Sequence, residues 1–353
     1  MKNNKLALIL GAILLMICGG ILITGQTKNS HIQKQESKVQ NQIEARNYRL
    51  SGPYTHKNLS IFLIHSKTIT RTKTFLTLQE ALEQKKVVVF ETQSVNELAI
   101  ENLSNEDVYV QSGDIVKGGQ QDRMLAVDFI VPPKSGRMPI AAFCVEHGRW
   151  SGRGNERAGV FSSSSDSAVT REIKLAAKSS NSQGAVWENV RVAQDKLSQS
   201  VGTRVNSTVS ASSLQLAVEN TRVRATADSY IKALANIVNR NDDVIGYVFA
   251  INGNVNSADV YSSNALFRKL WPKLLKANAV EAIAMLQKGA FKPASANNAK
   301  AFLYDAEKPR PSEKEVTSRV KVVTREDDKN VFFETKDDAQ KGAWVHRNYI
   351  KKN

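Results

Sequence analysis

The sequence predicts an α+β fold on an N-terminal transmembrane helix: a mainly antiparallel or mixed sheet, then long helices, then a C-terminal β-hairpin appendage. Three observations predict it. Residues 6–24 carry no charge. Short β-rich runs crowd residues 86–145 about ten residues apart with no helical pattern between them, as in a sheet folded on itself. Beyond Trp150, segments of helical length take over.

Taken in order, Lys2 and Lys5 precede nineteen uncharged residues, Leu6 to Thr24. A helix of that length just spans a hydrocarbon layer of roughly 30 Å. It exceeds the roughly 7–15 apolar residues of a cleaved signal, and no A-x-A-like site follows, so residues 1–25 read as a transmembrane anchor or uncleaved signal. The short polar head places the N-terminus in the cytoplasm and the body in the periplasm or outside the cell, as a single-pass membrane protein. Residues 26–49 are nearly devoid of large apolar side chains and read as a polar tether.

The body occupies residues 50–290. Asn58 to His65 reads as a strand, and Thr77 with Glu80 forms a capping box at the start of a helix. Strands are expected at Lys86–Glu91, Glu97–Glu101, Asp107–Gln111, Met124–Val131 and Pro139–Val145. The serine run Ser162–Ser165 reads as a loop. Val186–Val201 and Ser212–Val238 have helical length. Val244–Ile251 is a strand ended by the turn dipeptide Asn252-Gly253, and Asn264 caps a helix reaching Leu286 with a break at Pro272. Residues 291–318 read as a linker around Pro309-Arg-Pro311, and residues 319–353 as a small appendage with a hairpin at Thr324–Lys329.

The net charge of +15 is unevenly placed. Residues 1–57 hold eight basic side chains against two acidic, whereas residues 58–160 balance twelve against twelve. The excess therefore suits an anionic lipid or an envelope polymer next to the membrane, and no nucleic-acid partner is expected. Two cysteines cannot build a disulfide framework. Five scattered histidines form no metal motif, and neither G-x-S-x-G nor G-x-G-x-x-G occurs, so no metal or cofactor is expected.

Two segments carry chemistry. In the first, Gly113 and Gly118 have P-loop spacing, but Gly119 and Gln120 replace its Lys and Ser/Thr, which removes the nucleotide-triphosphate reading. The turn Gly118-Gly119-Gln120-Gln121-Asp122-Arg123 can then be an anion nest, or a tight turn with Arg123 in a structural salt bridge to Asp122 or Glu146. In the second, Cys144-Val145-Glu146-His147-Gly148-Arg149-Trp150 ends a strand. Period two puts Cys144 and Glu146 on one face. Cys144 can be a tuned nucleophile or a buried small hydrophobe.

Together, Gly118–Arg123, Val131-Pro132-Pro133 and Cys144–Trp150 resemble the ADP-ribosylglycohydrolase- and rhodanese-phosphatase-associated domain family, a domain of unknown function. The similarity covers about residues 50–290. It implies a ligand bearing ribose or phosphate, although Asp122 stands where the family pattern expects Asn.

Two functions follow as expectations. The first is a ligand-binding or envelope-interaction module, with Gly118, Gly119, Gln120, Gln121, Arg123, Arg149 and Trp150 lining a polar site for an unknown small molecule. The alternative is a hydrolase or transferase acting on a ribose- or phosphate-containing substrate through Glu146 as acid or base and Cys144 as nucleophile. The first is preferred because no activated pair is legible.

Overall fold

In the computed structural model, which describes residues 48–352 except 68–73, 155, 157, 168, 169, 240 and 288, the chain enters through strand β1 (Arg49–His56), antiparallel to β2 (Leu59–His65). β3 (Leu76–Thr77) runs into helix α1 (Leu78–Glu83). The expected capping box closes that helix: the Glu80 amide donates to Thr77 Oγ1 at 3.2 Å, and the Thr77 amide donates to Glu80 Oε2 at 2.9 Å.

Seven strands then follow: β4 (Val87–Glu91), β5 (Glu97–Asn102), β6 (Val108–Val110), β7 (Asp114–Gly118), β8 (Arg123–Leu125), β9 (Phe129–Val131) and β10 (Arg137–Cys144). The single strand expected over Met124–Val131 is two, because the chain turns Asp128 inward between them. The serine run expected as a loop is part of β11 (Phe161–Ser167), paired with β7. Its polar side chains are satisfied individually, Ser164 on Gln215 at 3.0 Å and Ser167 on the Gly113 carbonyl at 2.8 Å, so a serine-rich strand can sit against the core.

Four helices come next: α2 (Arg171–Lys178), α3 (Gln183–Val201), α4 (Leu214–Val218) and α5 (Thr221–Leu234). The helix expected from Ser212 to Val238 is interrupted at Glu219-Asn220, where the Asn220 side chain caps α5. The hairpin β12 (Val244–Ile251) and β13 (Asn254–Tyr261) leads to α6 (Asn264–Ala284), which runs through Pro272 and is capped by Ser263. Helix α7 (Ala296–Ala306) and strands β14 (Pro311–Glu315), β15 (Val320–Glu326), β16 (Asn330–Asp337) and β17 (Ala343–Lys351) complete the chain.

The strands make three sheets: an eight-stranded antiparallel sheet in the order β1-β2-β12-β13-β17-β16-β15-β14, a six-stranded sheet β11-β7-β8-β10-β5-β4, and a small sheet β3-β6-β9. Every residue of β2 and β12 is buried. On one face Leu59, Ile61, Leu63, Tyr247 and Phe249 meet α3, α5 and α6; on the other, Phe62, Ile64 and Val248 meet Phe302 and Leu303 of α7. Coverage on both faces explains why these strands read as unbroken apolar runs instead of alternating.

Several expectations are corrected here. The layout of one sheet, then helices, then an appendage is replaced by a mainly β body, with more residues in strands than in helices. The C-terminal segment is no appendage: β17 lies between β13 and β16 inside the largest sheet, pairing Ser257 with Ile350 and Tyr261 with His346. The expected linker contains α7 and β14. Among the described residues no helix is long and apolar enough to cross a membrane. The proposed span 6–24 lies outside the described residues, as do the orientation drawn from it and all but the last two residues of the tether.

Candidate functional site

The β7–β8 turn and the end of β10 bring the two sequence motifs together, since β8 pairs with β10 in a register that sets Arg123 opposite Cys144. Gly118 (φ 115°) and Gly119 (φ 57°) make the turn. A Cβ on Gly119 would lie 2.3 Å from the Phe161 ring, so the residue answers to both backbone conformation and space.

Arg123 is fully buried. Its guanidinium donates to Gln121 Oε1 at 3.0 Å and Glu91 Oε1 at 3.3 Å, and it contacts the Cys144 sulfur. The thiol in turn donates to Gln121 Oε1 at 2.8 Å. Cys144 is sealed from solvent, and burial pushes its thiol up to about 11, against the pull of Arg123. The Cys144 amide and carbonyl are both held by the Gln183 side chain at 2.9 Å.

Beside this lies a second cluster of three carboxylates and two guanidiniums, in which Arg153 also donates to Glu156 Oε1 at 3.0 Å. Arg153 donates to both Asp122 oxygens at 2.9 and 3.1 Å and approaches Glu146 at 3.4 Å. Arg149 donates to Glu146 Oε2 at 2.6 Å. Ser213 and the Gly118 amide each donate to Asp122 at 3.0 Å, and the Asp122 amide donates to Glu146 at 3.1 Å. Asp122 and Glu146 have no exposed surface. Burial raises the Asp122 pKa despite Arg153, whereas at Glu146 the hydrogen bonds from Arg149, Ser210 and the Asp122 amide outweigh burial and hold the carboxyl below its usual value.

The nest reading of the glycine turn is thereby answered from within. The Gly118 amide goes to Asp122 and the Gln120 amide to Glu91 at 3.1 Å, so internal carboxylates occupy the place of an external anion. Arg123 does form a buried ion pair, but with Glu91 instead of Asp122 or Glu146. Chemically the cluster is a closed set of opposite charges. Its thiol is a donor with a raised pKa, and its carboxylates already accept from arginines. One predicted residue reaches the surface: Trp150 is 45% exposed, with the Arg123 guanidinium 5.5 Å from its ring centre. Gln120 is half-buried. His147, also exposed, packs edge-on against Trp187 at 4.5 Å.

Sequence reasoning missed Glu91, Arg153 and Ser213. Arg153 had a local signal, since it lies four residues beyond Arg149 in the same glycine-rich stretch. It also missed a polar cluster in the core. His346 is gripped between Asp128 (Nδ1 to Oδ2, 2.7 Å) and Asp259 (Nε2 to Oδ1, 3.0 Å) and stacks on Tyr261 at 4.6 Å. Although burial opposes it, the two carboxylates raise the His346 pKa to about 9, and both carboxyls are held below their usual value. Partners 218 and 87 residues apart leave no local pattern to read.

No curated protein and no solved structure matches the chain. The family model of the ARG and Rhodanese-Phosphatase-superfamily-associated Protein domain matches residues 47–350, a span that holds both motifs and reaches into β17. The chain belongs to this family.

Proposed function

We propose that this protein is a non-enzymatic binding module whose polar site is the surface over the Gly118–Arg123 turn and the Cys144–Trp150 segment. One observation carries the reading: Trp150 stands 45% exposed over Arg123, while the ionisable groups beneath it are paired with one another. A buried network with its charges paired keeps its shape and leaves no poised base or thiolate for catalysis. An exposed indole beside a cation is suited to stacking on a flat ring. The fitting ligand is a neutral ring-bearing molecule such as a nucleoside or a sugar, because Arg149 and Arg153 are already matched by Glu146 and Asp122.

Thermal-shift screening of the full chain against nucleosides, ADP-ribose and envelope sugars tests this. A neutral nucleoside or sugar is expected to raise Tm in the native protein and to lose that effect in Trp150→Ala, whose own stability changes by less than about 0.5 kcal/mol. A hit retained in Trp150→Ala, or a panel without hits, refutes the assignment.

A further inference from the structure

A cavity of about 460 Å³ lies where β9, β10, α2 and strands β14 to β16 meet, and it shares no lining residue with the Trp150 surface. Its volume falls in the range of roughly 300–1,000 Å³ that holds small molecules. Most of its lining residues are apolar, Ile140, Val322 and Phe333 among them. The polar groups on the wall differ in what they have left to give. Asp128 is spent: it accepts from the Ser112 amide at 2.9 Å, from Thr335 at 2.6 Å and from His346 at 2.7 Å. Thr335 has used its proton on that bond. Lys178 is different. Its ammonium has three donors, gives one to Asn348 Oδ1 at 3.1 Å, and lies 4.3 Å from the centre of the Phe333 ring.

Lys178 acts on Asp128, and Lys174 on Asp259 and on the nearby Glu281 carboxyl, whose pKa burial raises. At the exposed mouth Lys314 and Glu315 offset each other.

We propose that this cavity binds a small, largely apolar molecule bearing one carboxylate, its hydrocarbon part against Ile140, Val322 and Phe333 and its carboxylate on the Lys178 ammonium. The test is isothermal titration of the full chain with octanoate, octan-1-ol and octylamine. Octanoate is expected to bind at least about tenfold more tightly than the alcohol, the yield of one charge-assisted hydrogen bond, with octylamine weakest. Lys178→Met should erase the preference for octanoate, and Val322→Trp, which fills the cavity, should weaken both octanoate and the alcohol. The proposal is overturned if the native protein binds octanoate no more tightly than octan-1-ol or octylamine, if it binds none of them, or if Lys178→Met keeps the preference. The comparison of the three ligands on the native chain stands even if a variant fails to fold.

Discussion

Raising the pH from 6.5 to 9 is predicted to weaken the fold through one side chain, His346. Held between Asp128 and Asp259, it keeps its proton up to about pH 9, against an ordinary value of 6.5. The folded state therefore binds this proton more tightly than the unfolded state does. The associated stability is complete below pH 6.5 and drains away as pH climbs through about 9. The gap between the two values corresponds to about 3 kcal/mol, a large part of the 5–15 kcal/mol typical of a folded domain. His56 works in the opposite sense, because burial and then Lys57 lower its pKa, but it is only half-buried and its effect ends near neutrality. Urea unfolding at half-unit steps from pH 6 to 9 measures the slope, and NMR titration of the histidine ring assigns it. Stability that is level or rising from pH 7 to 9, or a His346 ring that titrates near 6.5, refutes the reasoning.

Three further outcomes are expected. Gly119→Ala should cost about 1–3 kcal/mol by urea unfolding, since the new Cβ meets Phe161 at a positive φ, and Phe161→Leu should recover part of the loss; an unchanged midpoint counts against the tight turn. Arg153→Met should destabilise by about 3–5 kcal/mol by stranding the buried Asp122 charge, and adding Asp122→Asn should restore much of it, whereas simple additivity of the two changes denies their coupling. In a Cys18→Ser background, iodoacetamide at pH 8 should leave Cys144 unmodified in the folded protein and alkylate it fully in guanidinium; fast labelling of the native state contradicts the sealed thiol.

Local signals carried the parts of the fold that local forces decide. The Thr77/Glu80 box, the strand at residues 59–65 and the Asn252-Gly253 turn were legible because capping, apolar runs and turn chemistry each act within a few residues. Strand β11 was not, since its serines are made compatible with burial by Gln215 and Gly113, which no neighbour in sequence announces. The role of the last segment was hidden for the same reason: β17 has its partners in β13 and β16, and nothing within residues 343–351 says that they fill the middle of a sheet. At the site, the pairing of the two motifs was visible as composition. Which arginine met which carboxylate depended on the β8–β10 register and on Arg153 folding back over Asp122.

Strand β17 also sets an order of events during synthesis. It follows every other strand of its sheet in the chain, yet β13, finished at Tyr261, needs it as a neighbour. At about 5–20 residues per second, the roughly 80 residues between them take some 4–16 s to make. Throughout that interval the growing polypeptide carries a half-built sheet with the β13 edge open to the wrong partner. This body cannot close until β17 has been made, and loss of residues 343–351 would take the middle out of its largest sheet.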